Sequence, residues 1–169
     1  VTRTQRLYAA VFGGLFIALH LPFLPPTLED LDSINFALGV QQYDISQHQP
    51  HPPGYPLYIG AAKLLRAVGL SEVHALSLLG VIAGGLACLA LMSLFVSLDR
   101  DQRDEPHTWL AVLVVVASPL FWFTAARPLS DVTGLAASVG IQAVLLSAAG
   151  AGALVPAAFL AAFAAGIRS

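Results

Sequence analysis

Residues 73–98 read VHALSLLGVIAGGLACLALMSLFVSL. The stretch holds no Asp, Glu, Lys or Arg, and it exceeds the roughly 20 apolar residues a helix needs to cross a hydrocarbon core. A bilayer offers no water to the backbone, so such a run must satisfy its peptide groups internally, as a helix does. Ala, Gly and Leu content is high along the chain, and small residues dominate the later apolar runs 132–149 and 154–167, which suggests burial against other helices. Small side chains of this kind let neighbouring helix backbones approach closely.

Working outward, four further apolar runs occupy residues 7–24, 109–125, 132–149 and 154–167. The expected fold is all-α, with about five transmembrane helices in a single membrane domain spanning residues 1–169. Composition agrees: 57% of residues are hydrophobic, 11% are charged and the mean hydropathy is +0.75. Soluble domains carry about 25% charged residues, so this chain has too little charge to cover a water-facing surface. The net charge of -2 argues against nucleic acid, which selects a basic face. Cys88, the single cysteine, forms no internal disulfide and reads as core. The first run follows Arg3 and Arg6 in the manner of a signal peptide. It ends in the prolines Pro22, Pro25 and Pro26, not at a small-residue cleavage site, and reads as a retained helix.

Polar residues concentrate in three connectors: 25–71, 99–107 and 126–131. The first is expected to contain two interfacial amphipathic helices. Leu31, Ile34, Leu38 and, less regularly, Phe36 fit a short helix over residues 30–41, with Asp30 or Ser33 as its cap. Residues 55–70 form the second, with Lys63 and Arg66 snorkelling to the membrane surface. A cytoplasmic N-terminus then puts 25–71 and 126–131 together on the extracytoplasmic side. If residues 55–70 spanned the membrane instead, Asp131 would lie opposite Asp32. The positive-inside rule supports the orientation only weakly, since Arg3, Arg6, Arg100 and Arg103 fall inside while Lys63, Arg66, Arg127 and Arg168 fall outside.

Three groups of residues carry chemistry. Glu29, Asp30 and Asp32 place three acids within four positions. They supply a general base with an orienting carboxylate, or merely the acidic first turn that a helix dipole favours. His48-Gln-Pro-His51-Pro-Pro-Gly-Tyr55-Pro has four prolines in nine residues, which fix the backbone. A rigid loop of this kind holds His48, His51 or Tyr55 over a site at little ordering cost, or simply connects two helices. Two histidines at this spacing are a weak metal signal, so no metal ligand is assigned and a divalent cofactor is left open. Arg127 and Asp131 bracket the last connector. They form either an interfacial ion pair or a site in which the guanidinium binds phosphate beside a second carboxylate.

In order and type, these features resemble the C-type glycosyltransferase superfamily. Asp32-Ser-Ile-Asn-Phe-Ala-Leu-Gly-Val40, followed by His51-Pro-Pro-Gly-Tyr-Pro-Leu57, looks like its protein O-mannosyltransferase-like branch. The stretch from Ser118-Pro119 to Asp131 is similar to that family's third helix and second outer loop. The resemblance implies a membrane glycosyltransferase that moves a sugar from a polyprenyl-phosphate donor to a protein, glycan or lipid acceptor outside the cytoplasm. On this chain, Asp32 or Asp30 would be the base and Asp131 a second catalytic carboxylate. Glu29, His48, His51, Tyr55 and Arg127 would contact substrate. Such enzymes have roughly ten or more spanning helices, so residues 1–169 would be the N-terminal part of a larger transferase. A transporter or flippase for a lipid-linked saccharide is the alternative, although its spanning helices would carry pathway charges that are scarce here. A non-catalytic membrane scaffold would need none of the acids.

Overall fold

The computed structural model describes residues 1–98, 105–147, 152 and 154–168. Among these residues the chain is all helical, apart from an isolated bridge between Asp44 and Gln49. The helices are α1 (Arg3–His20), α2 (Leu31–Gln41), α3 (Pro56–Ala67), α4 (Glu72–Leu98), α5 (Glu105–Val116), α6 (Pro119–Ala125), α7 (Asp131–Ser147) and α8 (Leu154–Ala165).

Among the described residues, two helices are long and apolar enough to cross a membrane: α1 with its 3-10 extension, Arg3–Phe23, and α4. That corrects the expectation of about five spans. The third apolar run breaks between α5 and α6, which meet at 58° and count together as at most one bent span. Pro119 causes the break, because it lacks an N–H and its ring collides with the carbonyl four residues back. The Ser118 hydroxyl caps the new helix, accepting from the Phe121 N–H at 3.4 Å. The fourth and fifth runs form helices of 17 and 12 residues. Within the described residues these reach about 25 and 18 Å at 1.5 Å per residue, against a hydrocarbon core of about 30 Å. Residues 99–104 of the charged connector, and residues 148–151 and 153, lie outside the described residues.

The two helices expected within residues 25–71 are present as α2 and α3, of 11 and 12 residues. Asp30 is the N-cap of α2: its Oδ1 accepts from Ser33 N at 2.8 Å while Ser33 Oγ accepts from Asp30 N at 3.1 Å. Satisfying two otherwise orphaned N–H groups in this way fixes where the helix starts. Neither helix floats free. Phe36 and Val40 of α2, Tyr58, Ile59 and Ala62 of α3, and Ala75 and Leu76 of α4 bury one another in a cluster of their own.

The main core is separate, where α4 packs most extensively against α7 and next against α1. Phe16, Cys88, Met92, Val112, Phe121, Val132 and Val139 fill it. The α1–α4 crossing depends on Gly13 and Gly85, for a Cβ on Gly13 would meet the Gly85 carbonyl oxygen at 2.5 Å. His20 is buried with Nδ1 2.7 Å from Phe16 O and Nε2 3.0 Å from Trp122 O. Outward, Leu7, Val11, Leu15 and Leu19 form an exposed stripe on α1, and Leu120, Phe123, Phe159 and Phe163 are exposed on α6 and α8. Apolar surface of this extent is costly in water and suits a hydrocarbon surrounding.

Contacts fix the helix directions. His20 at the end of α1 touches Trp122 of α6, Gly80 near the start of α4 lies against Ala125 and Arg127, and Arg168 beyond α8 reaches Asp131 at the start of α7. Residues 21–71, the connector 126–130 and the segment 166–168 therefore gather at one end of the bundle.

Candidate functional site

That end is assembled by α1 running into a proline-rich turn and by Gly80 of α4, which admits the α6–α7 connector. A Cβ at Gly80 would meet Ala125 O at 2.5 Å. The connector delivers Arg127 to the acids that precede α2. Its Nη2 lies 2.6 Å from Asp30 Oδ2 and its Nε 3.3 Å from Glu29 Oε2, so one guanidinium holds two carboxylates. A planar fork of donors suits this double task. Asp30 is doubly committed, with one oxygen capping α2 and the other on Arg127.

Asp32 stands apart from that clamp. Its side chain is 63% exposed, and its nearest basic neighbour is His51, with Nδ1 3.9 Å from Asp32 Oδ1. His51 is half-buried, its Nε2 is 3.2 Å from the Tyr55 hydroxyl, and its Nδ1 is buried without a hydrogen-bond partner. Phe36 closes the group: its ring centroid is 5.2 Å from that of His51 and 4.9 Å from that of Tyr55.

The loop between α2 and α3 is what carries these rings. Gly54 has φ +104, and a Cβ there would meet Ile45 Cδ1 at 2.5 Å and Tyr43 Oη at 2.6 Å. Gly39 of α2 is equally committed, because its Cβ would meet Pro50 at 2.7 Å. Tyr55 itself lies in the left-handed region at φ 47, uncommon for a bulky residue and sustained only where the surroundings over-determine it. Pro56 then starts α3 at once.

His48 also has a left-handed backbone, φ 58, but it is exposed and its ring makes no hydrogen bond among the described residues. It ends the 3-10 turn Ile45–Gln47, which Asp44 caps. Asp44 Oδ1 accepts from Ser46 Oγ at 2.6 Å and Ser46 N at 3.0 Å, and the Ser46 hydroxyl holds its carboxyl below the usual carboxylate range. The structure thus joins His51 and Tyr55 to Asp32 but leaves His48 outside the group.

Asp131 does not pair with Arg127, as the simpler reading of that connector had it. It pairs with Arg168. Beside it the wholly buried Tyr58 hydroxyl donates to Leu76 O at 3.4 Å, and burial first, then the Asp131 charge, pushes its ionisation above the ordinary tyrosine value. Arg168 and Tyr58 belong to this end of the molecule although neither was singled out from sequence. The one available signal was that Arg168 is a lone cation directly after the last apolar run. Among the described residues no three His, Cys, Asp or Glu side chains converge as a metal site.

Chemically, the arrangement offers a guanidinium neutralising two acids, a second ion pair at the start of α7, and one accessible carboxylate backed by an imidazole. No family model, curated protein or solved structure matches the chain.

Proposed function

We propose that this chain belongs to a multi-pass membrane glycosyltransferase that transfers a sugar from a polyprenyl-phosphate donor to a protein, glycan or lipid acceptor. In this reading the N-terminus is cytoplasmic and the polar end of the bundle is extracytoplasmic. One observation carries it. Of the three neighbouring acids, Arg127 occupies Glu29 and Asp30, which leaves Asp32 exposed beside His51 as the carboxylate able to accept a proton.

Asp32 takes the proton of the acceptor hydroxyl as that oxygen attacks the anomeric carbon. The carbon–oxygen bond to the phosphate breaks, and its electron pair leaves on the phosphate oxygen. A lipid phosphate is already a good leaving group, so no strong general acid is required. Arg127, 41% exposed at the side chain, meets the phosphate as a hydrogen-bond donor through the N–H groups that Glu29 and Asp30 leave free. Asp131, held by Arg168, supplies the second carboxylate.

The test is sugar transfer by the protein in membranes from a radiolabelled polyprenyl-phosphate sugar, comparing wild type with Asp32→Asn and Asp30→Asn at equal expression. A base contributes about 100- to 10,000-fold, so Asp32→Asn is expected to lose at least about 100-fold. If wild type transfers no sugar, or if both variants transfer normally, the transporter and scaffold readings replace this one.

A further inference from the structure

We infer that His51 is a positioning residue for Asp32, holding the carboxylate through a hydrogen bond from Nδ1–H while the Tyr55 hydroxyl fixes the imidazole tautomer. The catalytic consequence of this link rests on the transferase reading; the link itself does not. His51 Nδ1 is buried and without a hydrogen-bond partner, which is rare for a buried polar atom. Its nearest charged neighbour is Asp32 Oδ1 at 3.9 Å. An N–H···O bond needs about 2.7–3.2 Å, so a shift of about 1 Å closes it. The exposed Asp32 side chain, at the first turn of α2, is free to make that movement, whereas His51 is not. Pro50, Pro52 and Pro53 flank it, and Phe36 and Tyr55 pack against its ring.

Tautomer choice follows from charge. With the proton on Nε2, Nδ1 would turn a lone pair toward a carboxylate oxygen, which is repulsive. With the proton on Nδ1 it offers a donor, and Nε2 becomes an acceptor for the Tyr55 O–H at 3.2 Å. A neutral imidazole has one donor and one acceptor, so this assignment satisfies both nitrogens, while the other satisfies only Nε2. Asp32 and Tyr55 are the titratable groups in contact with His51. The left-handed backbone of Tyr55 then has a purpose, because it brings the hydroxyl back to the ring four residues earlier.

Two substitutions separate the nitrogens. The side-chain amide of His51→Asn puts an N–H close to where Nδ1 stands; that of His51→Gln puts one close to Nε2. We expect His51→Gln to lower kcat about 10- to 100-fold with KM nearly unchanged, part of what a well-placed base supplies. His51→Asn is expected to retain kcat within about threefold. A readout independent of catalysis is nitrogen NMR of histidine-labelled protein in nanodiscs, with the His51 signal assigned by its loss in His51→Asn. Nδ1–H is expected in wild type and a mixed tautomer in Asp32→Ala. An Nε2–H tautomer, or one indifferent to Asp32→Ala, overturns the link. Equal kinetic loss in both His51 variants overturns the positioning role. If wild type transfers no sugar while the tautomer still follows Asp32, the transferase reading fails and the link stands.

Discussion

Arg127 places its Nη2 2.6 Å from Asp30 Oδ2, joining residues 97 positions apart, and keeps its Nε 3.3 Å from Glu29 Oε2. The bond ties the α6–α7 connector to the start of α2. Both partners are partly exposed, and such pairs contribute up to about 1 kcal/mol each. Their value lies in placement, since a single fork spans two carboxylates. Arg127→Lys keeps the charge but not the fork. It should cost at most about 1 kcal/mol in unfolding free energy while reducing sugar transfer at least about tenfold, the scale of one charge-assisted contact. Thermal denaturation in detergent beside the transfer assay checks both numbers. A large loss of stability with transfer preserved would show the clamp to be purely structural.

The helix crossing gives a sharper stability test, with its control one residue away. A Cβ on Gly13 would meet Gly85 O at 2.5 Å, whereas one on Gly14 meets nothing within 4 Å. Backbone on one side of the clash leaves no flexible side chain to move aside. Gly13→Ala should therefore destabilise by about 1–3 kcal/mol, as overpacking does. Gly14→Ala should be neutral or slightly stabilising, because alanine favours helix over glycine by about 1 kcal/mol. Melting midpoints of the two variants in the same detergent decide it, and equal values would refute the crossing.

Apolar runs, their order and the two helices within residues 25–71 were legible because hydropathy and local spacing are properties of neighbouring residues. The Asp30 cap is local in the same sense. The number of spans was not legible, since an averaged run such as 109–125 conceals what Pro119 does to the backbone within it. Helix ends likewise need knowledge of what packs beside them: α8 ends at Ala165, two residues short of the run that suggested it. Ion-pair partners were the least accessible. Arg127 lies four residues from Asp131, yet it reaches back to Glu29 and Asp30, and Asp131 takes Arg168. Tertiary folding chose among cations that the sequence could only count.

The loop that carries His51 and Tyr55 depends on Gly54. At φ +104, any Cβ is strained, and the space it would fill already holds Ile45 Cδ1 and Tyr43 Oη. Gly54→Ala should cost about 1 kcal/mol or more in backbone strain and displace the aromatic group on Phe36. Hydrogen exchange is expected to speed up locally over residues 44–56 while α4 stays protected. Unchanged protection in the loop would mean that its prolines alone hold it.

Tyr58 supplies a pH test with a definite sign. Burial and then the Asp131 charge raise its ionisation above the ordinary 10.0, so the folded state keeps the proton where the unfolded chain releases it. A group raised on folding contributes its stability fully below the unfolded value and loses it as pH rises beyond that value toward the folded one. The wild-type melting midpoint should therefore fall with a Tyr58-dependent component above about pH 10. Tyr58→Phe removes the ionisable proton and the bond to Leu76 O, so it should melt lower at neutral pH but decline less steeply in alkali. Asp131→Asn, which removes the lesser cause and leaves burial in place, should alter the slope only slightly. Midpoints between about pH 8 and 12, with tyrosinate absorbance followed in parallel, separate these effects. Parallel wild-type and Tyr58→Phe curves through the alkaline range would show that Tyr58 is reached by solvent and carries no such linkage.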